Sequence, residues 1–145
     1  MQSDGSKFRI GISGSYGGMN LGDEAILEGI LGELRASIPA EVTVFSKNPA
    51  DTLARHKVEH AINARSLTRK EVTPAIRELD LLILGGGGIL FDGEVEAYLR
   101  EVLVAHEVGV PVMVPLEFSI SPFGSDPEIT AHVFAPTPVA ASVAL

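Results

Sequence analysis

Residues 8–31 read FRIGISGSYGGMNLGDEAILEGIL, and this stretch decides the fold. A short apolar run at residues 8–12 predicts a strand, and a glycine-rich loop at residues 13–22 follows it. From Asp23 onward the apolar residues recur every four positions, which is the period of a helix that buries one face. We expect Asp23 to cap this helix and Pro39 to end it. The stretch therefore predicts a strand, a glycine-rich loop and a helix, in that order.

The rest of the chain repeats this alternation. A short helix is expected to begin at Asn48 and Pro49 and to end near Arg55. The next helix has two possible starts, because residues 68–71 have the spacing of a capping box while Pro74 favours a restart one residue before it. Further strands are predicted at residues 42–45, 58–62, 81–84 and 110–114. A last helix is expected to end at Gly109, and its apolar face is predicted to consist of Val95, Tyr98, Leu99, Val102 and Leu103.

The alternation of strands and helices predicts the fold class. It is typical of an α/β protein with a doubly wound parallel sheet, Rossmann-like, in the strand order 3-2-1-4-5. We expect residues 1–116 to form this Rossmann-like domain, since 145 residues is close to the length of one domain. Residues 117–145 show no clear period and are predicted to be an irregular tail.

Composition excludes several classes of protein. A net charge of −8 gives no basic face for the phosphates of a nucleic acid. The absence of cysteine excludes disulfides, thiolate metal sites and cysteine nucleophiles. The N-terminus lacks the layout of a signal peptide, and no apolar run approaches the roughly 20 residues of a transmembrane segment. We therefore expect a cytoplasmic protein.

A second glycine-rich loop, Gly85 to Gly88, follows the predicted fourth strand. In the order 3-2-1-4-5 the first and fourth strands are neighbours, and the chain reverses direction between them. Ligands of such sheets bind in the crevice outside the carboxyl ends of the strands at this switch point. The two glycine-rich loops are therefore expected to face one cleft.

The first loop does not fit a dinucleotide site. The fingerprint G-x-G-x-x-G is broken, because Gly11, Gly14 and Gly17 leave one glycine misplaced. Ser46 and Lys47 stand where an acidic residue would bind the ribose. We therefore expect no NAD and no other cofactor.

Two carboxylates open the first helix instead. Asp23 and Glu24 would repel a phosphate at the helix N-terminus, but with Tyr16 and Asn20 beside them they can accept hydrogen bonds from neutral hydroxyl groups, such as those of a sugar. The alternative is that Asp23 only caps the helix while Glu24 is solvated.

The second loop and the histidines leave fewer functional signals. Gly85 to Gly88 either allow a ligand to approach the backbone closely or form only a tight turn. Asp92, which follows them, either contacts that ligand or caps the next helix. His56 and His60 straddle a predicted helix end, so we expect no metal site. His106 continues an apolar stripe and is predicted to pack in the core.

Three motifs in register resemble those of the polysaccharide pyruvyl transferase family. They are GSYGGMNLGDEAIL at residues 14–27, VTVFSKNP at residues 42–49 and DLLILGGGGILFD at residues 80–92. The similarity covers roughly residues 7–116. It implies an enzyme that moves a pyruvyl group from phosphoenolpyruvate onto a sugar of a cell-surface polysaccharide or its lipid-linked precursor, at the inner face of the membrane. It also implies two Rossmann-like domains that face a cleft, as in one class of glycosyltransferases.

Within this resemblance the chain corresponds to the N-terminal, acceptor-side half. The basic residues that hold phosphoenolpyruvate are expected in a second domain, so we predict that this chain alone is inactive and that its uncovered flank favours self-association. Asp23 is predicted to be the catalytic base. Substrate contacts are predicted at Gly14, Tyr16, Gly17, Asn20, Gly22, Glu24, Gly85, Gly86, Gly87 and Asp92. The alternatives are a non-catalytic Rossmann-like module that binds a sugar or nucleotide, and an NAD-dependent enzyme.

Overall fold

Strands and helices alternate along the chain. The computed structural model describes residues 5–85, 95–116 and 130–134. The elements are β1 (Phe8–Ser13), α1 (Leu21–Ser37), β2 (Ala40–Phe45), α2 (Pro49–His56), β3 (His60–Ile62), α3 (Arg69–Arg77), β4 (Leu81–Leu84), α4 (Val95–Val108), β5 (Val112–Leu116) and β6 (Thr130–Phe134). A single 3₁₀ turn, Ala64–Ser66, lies between β3 and α3.

The strands form one sheet in the order β3-β2-β1-β4-β5-β6. The first five are parallel, and β6 pairs with β5 in the antiparallel direction. The predicted α/β doubly wound, Rossmann-like sheet with the order 3-2-1-4-5 is therefore confirmed. Strand β6 was not predicted, because five residues at the edge of a sheet show too short a pattern to stand out in the sequence.

The start of α1 differs from the prediction. Asn20, and not Asp23, is the N-cap, and its side-chain Oδ1 accepts a hydrogen bond from the Gly22 amide at 3.0 Å. Asp23 and Glu24 both lie in the first turn, where a carboxylate interacts favourably with the helix dipole. The prediction was wrong because both Asn and Asp are good caps, and the glycine-rich loop ends two residues earlier than the apolar period indicates.

The structure also decides between the two possible starts of α3. Thr68 is the N-cap, and Thr68 and Glu71 form the reciprocal hydrogen bonds of a capping box. Pro74 lies inside this helix and does not begin a new one. Asn48 caps α2 with Pro49 next to it, as predicted.

Helices cover the sheet on both faces, and each face has its own core. On one face α1 packs its Leu27 and Leu31 against Ile12 of β1. On the other face α3 and α4 pack Ile76 and Val104 around side chains of β2, β4 and β5. The two cores alternate along β4, where Leu82 belongs to the second and Ile83 to the first. This is the pattern of strands buried on both faces.

The buried face of α4 is rotated from the predicted one. Leu99 and Leu103 are about half exposed, and His106, predicted to be a core residue, is exposed. The fully buried side chains of α4 are Tyr98, Glu101, Val104 and Ala105. The prediction followed the apolar residues of α4 and so missed the true buried face, because one residue of that face, Glu101, is a carboxylate. Among the helices that the structure describes, none is long and apolar enough to cross a membrane.

Candidate active site

The two glycine-rich loops meet at the carboxyl ends of β1 and β4. These strands are paired in register from Ile10 with Leu81 to Ser13 with Leu84. The Gly85 amide donates to the Ser13 carbonyl at 2.9 Å. The structure therefore brings the start of the second loop against the first, at the switch point of the sheet.

Two glycines of the first loop are required by their surroundings. A Cβ on Gly14 would overlap the carbonyl oxygen of Gly85, so a larger residue would push the loops apart. Gly17 has φ +75°, and a Cβ there would overlap the hydroxyl of Ser46 and lie 2.5 Å from the amide nitrogen of Asn48. Gly14 is therefore required by the close approach of the second loop, and Gly17 by both a close approach and a left-handed backbone that favours glycine.

Tyr16 joins the two loops from inside. Its side chain is fully buried, and its hydroxyl donates to the Gly85 carbonyl oxygen at 2.8 Å. Burial, together with the negative charges of Asp23 and Glu24, raises the pKa of Tyr16 above its usual range. The hydroxyl therefore stays protonated and acts as a donor between the loops.

Glu24 is buried rather than solvated, with 5% of its surface exposed. Its Oε1 accepts a hydrogen bond from the Gly17 amide at 2.8 Å, and its Oε2 lies 2.6 Å from Nε2 of His56. The other ring nitrogen, Nδ1, lies 2.8 Å from Oε2 of Glu28. Because an ionised carboxylate only accepts, each nitrogen carries a proton when both glutamates are ionised. Glu24 thus fixes the first loop to α2 through His56.

The remaining predicted residues of the first loop surround the start of α1. Asp23 is 4% exposed, and its charge acts on the Tyr16 hydroxyl. Asn20 and Gly22 are exposed and form the cap of α1. Gly86, Gly87 and Asp92, predicted to contact substrate from the second loop, lie outside the described residues.

A polar cluster on the opposite face of the sheet was missed by the sequence analysis. Glu101 of α4 is fully buried and accepts a hydrogen bond from the hydroxyl of Ser13, the last residue of β1. Two arginine side chains face its Oε1: Arg65 Nη1 lies at 3.9 Å and Arg100 Nη2 at 3.8 Å. The guanidinium of Arg65 stacks 3.9 Å from the centre of the Tyr98 ring.

This cluster reaches the first loop as well. Arg65 Nη2 donates to the Gly14 carbonyl oxygen at 3.4 Å, so a cation from the turn after β3 contacts a loop that contains no Lys or Arg of its own. Burial raises the pKa of Glu101, against the hydrogen bond from Ser13 and the charges of Arg65 and Arg100, which lower it. The sequence signals this cluster only by the spacing of Tyr98 and Glu101, which are three residues apart and therefore lie on the same face of a helix.

No group of three or more histidine, aspartate or glutamate side chains in the described part of the chain is arranged to hold a metal ion. Glu24, His56 and Glu28 instead satisfy one another by hydrogen bonds.

The model of the polysaccharide pyruvyl transferase family matches residues 20–123, more than two thirds of the chain. The chain belongs to this family. No curated protein sequence matches it.

The match to the transferase family spans most of the candidate site. It begins at Asn20, the cap of α1, and continues beyond β5, so it includes both first-turn carboxylates and the Glu101 and Arg65 members of the polar cluster, but not Ser13. Gly14, Tyr16 and Gly17 immediately precede it.

Proposed function

We propose that the protein contributes the acceptor side of a transferase that moves a pyruvyl group from phosphoenolpyruvate to a sugar of a cell-surface polysaccharide or its lipid-linked precursor. The proposal is supported by family membership and by one structural observation: the charge of the buried carboxylate Asp23 acts on the Tyr16 hydroxyl, which joins the two glycine-rich loops. Parallel α/β sheets bind their ligands in this position.

The transfer is balanced without an oxidant or reductant. The first sugar hydroxyl adds to C2 of phosphoenolpyruvate and gives up its proton, while the methylene carbon gains a proton and becomes a methyl group. A second hydroxyl of the same sugar then bonds to C2, the bond from C2 to the phosphate oxygen breaks, and the second proton leaves with the phosphate. The product is a cyclic ketal that carries the carboxylate. The enzyme must supply a base for the first hydroxyl and an acid for the methylene carbon.

Asp23 is the residue that we assign as the base. Of the two predicted carboxylates, Glu24 uses both oxygens for the Gly17 amide and for His56, so it maintains the loop. Four glycines, at positions 14, 17, 18 and 22, precede Asp23 in the sequence, and small residues let a sugar ring come close to the backbone.

The donor requires positive charge, since phosphoenolpyruvate carries a phosphate and a carboxylate. The first loop contains no Lys or Arg, and Arg65, which reaches it, faces the Gly14 carbonyl and Glu101. We therefore assign the donor site to a second Rossmann-like domain. The 145-residue chain would then be inactive alone, and the assembled enzyme would act in the cytoplasm at the inner face of the membrane.

The test is a pyruvylation assay on the gene product at its native length, which the intact mass from the source cell establishes. Asp23→Asn should abolish ketal formation and leave the fold unchanged by circular dichroism. The matched control is Asp51→Asn, the same change in the first turn of α2, which should retain the wild-type rate. An unchanged rate in Asp23→Asn removes Asp23 from the mechanism.

The isolated chain provides a second test. Residues 1–145 should form no detectable ketal with any acceptor, and turnover by this chain would contradict the assignment of the donor site. If the native-length protein also forms no ketal but binds a sugar or a nucleotide, the protein is a binding module and not an enzyme.

A further inference from the structure

The buried carboxylate of Glu101 contacts the first glycine-rich loop from the face opposite α1. Glu101 lies on α4, 88 residues from Ser13 in the sequence, and it accepts the Ser13 hydroxyl in the interior of the domain. Ser13 is the last residue of β1, so this hydrogen bond fixes the point at which the chain leaves the sheet and enters the loop.

Arg65 extends the contact by one residue along the loop. Its Nη1 faces Glu101 and its Nη2 donates to the Gly14 carbonyl oxygen, while the Tyr98 ring supports the guanidinium plane. Ser13 and Gly14 are therefore both connected to Glu101, the first directly and the second through Arg65.

The step between Glu101 and Arg65 depends on charge and not on a hydrogen bond. Arg65 Nη1 and Glu101 Oε1 are both buried, and neither has a hydrogen-bond partner among the residues that the structure describes. They face each other at 3.9 Å, which is too long for a hydrogen bond, so charge attraction holds them together. Such a contact weakens when the carboxylate gains a proton.

We propose that Glu101 is a positioning residue of the transferase, which sets the conformation of the first glycine-rich loop at Ser13 and Gly14 according to its own protonation. That this loop matters for the acceptor rests on the proposed function, but the link between Glu101 protonation and loop conformation does not. Among the described residues, the groups that face the carboxyl are Ser13 from β1, Arg65 from the turn after β3 and Arg100 from α4, while the Tyr98 ring stacks on Arg65.

Two states of the loop follow from this arrangement. With Glu101 ionised, Ser13 donates to it and Arg65 is attracted to it. With Glu101 protonated, the attraction to Arg65 is lost, and Arg65 keeps only the Gly14 carbonyl and the Tyr98 ring. Burial favours the protonated form, so the change is expected at a higher pH than for an exposed glutamate.

The test is a pH titration of the backbone amide signals of Ser13 and Gly14 by NMR on the 145-residue chain. In the wild type both signals should shift with one common midpoint that lies above that of an exposed glutamate. In Glu101→Gln this transition should vanish. In Glu107→Gln, which changes an exposed carboxylate of the same helix that pairs with Arg69, it should remain.

Two results overturn the proposal. One is the absence of a common transition in the wild type, and the other is its persistence in Glu101→Gln. If Glu101→Gln does not fold, Ser13→Ala serves as the second variant, because it keeps the Glu101 carboxyl and removes the hydroxyl that donates to it. The common midpoint should rise in Ser13→Ala, because the lost hydrogen bond favoured the ionised form; an unchanged midpoint contradicts the link through Ser13.

The readout separates this proposal from the proposed function. It requires neither substrate nor turnover, so Asp23→Asn should lose transfer activity and still show the transition at Ser13 and Gly14. If pyruvyl transfer is never detected, the titration still decides the role of Glu101.

Discussion

The first glycine-rich loop is held from both faces of the sheet by polar side chains, most of them buried, and the two sides differ. On the α1 side, Glu24, His56 and Glu28 form short hydrogen bonds, with both nitrogens of the histidine engaged. On the α4 side, Glu101 and Arg65 face each other at 3.9 Å, and each leaves a buried atom without a hydrogen bond among the described residues.

The difference indicates separate roles for the two sides. A buried polar network with all its hydrogen bonds made is rigid, and removal of one member is costly. A network that relies on charge at a longer distance costs desolvation without full compensation, so its state changes with protonation. We therefore expect the α1 side to determine whether the loop folds and the α4 side to determine which conformation it adopts.

The largest effect is expected from His56→Ala. This change leaves the carboxylate of Glu24 buried without the ring nitrogen that faces its Oε2, which should lower the free energy of unfolding by about 3–5 kcal/mol. The control is His60→Ala, which breaks an exposed pair with Glu41 and should cost about 0–1 kcal/mol. Urea unfolding of both variants measures the difference. Equal losses would show that the α1-side network has no special role.

The next largest effect is expected from Gly17→Ala. The left-handed backbone at φ +75° costs roughly 1–2 kcal/mol for a residue with a Cβ, and the overlap with Ser46 adds about 1–3 kcal/mol of overpacking. Gly109→Ala is the control, since its φ is +80° and nothing lies near its Cβ. Thermal unfolding should show a larger loss of stability in Gly17→Ala than in Gly109→Ala. A larger loss in Gly109→Ala would mean that the first loop accommodates the added Cβ by shifting, with little loss of stability.

A smaller effect is expected from Tyr16→Phe. The variant leaves the Gly85 carbonyl oxygen without its donor, which should cost about 1–2 kcal/mol. Tyr98→Phe, on the α4 side, removes a buried hydroxyl that has no partner among the described residues and should be neutral or stabilising. Urea unfolding of this matched pair compares the two sides directly. A loss in Tyr98→Phe as large as that in Tyr16→Phe would contradict the comparison.

The smallest effect at any single pH is expected from Glu101→Gln, because the amide keeps the shape and can still accept from Ser13. The folded-state pKa of Glu101 is raised, so the wild type loses stability as the pH rises through that pKa. The stability of Glu101→Gln relative to the wild type should therefore increase from about pH 4 to about pH 7. Urea midpoints at both values measure this, and a relative stability that falls with pH would contradict the direction.

Much of the fold was predictable because the sequence carries strong local patterns. The continuous apolar run of β4, the Asn48–Pro49 start of α2 and the glycine-rich stretch after β1 each predict an element without help from the rest of the chain. The face of α4 was not predictable, because Glu101 enters the core only where Ser13 and the arginines compensate for its charge.

The candidate site was predictable only in its local part. The two carboxylates of α1 follow from the first loop, but the partner of Glu24 is His56, 32 residues later, and their contact depends on how α2 packs beside α1. Arg65 lies 51 residues from Gly14 and reaches it because parallel strands bring their carboxyl ends to one edge. Spacing along the chain contains no information about such contacts.

The bond between Tyr16 and Gly85 has a consequence for how the domain folds. Its two residues are 69 positions apart, and at roughly 5–20 residues per second the ribosome needs several seconds to make the intervening chain. The first loop cannot take its final shape before β4 has joined the sheet, although β1, α1 and β2 are complete much earlier. Because the bond closes a long stretch of chain, we expect it to form after the transition state, so substitutions in the loop should speed unfolding and leave the folding rate nearly unchanged.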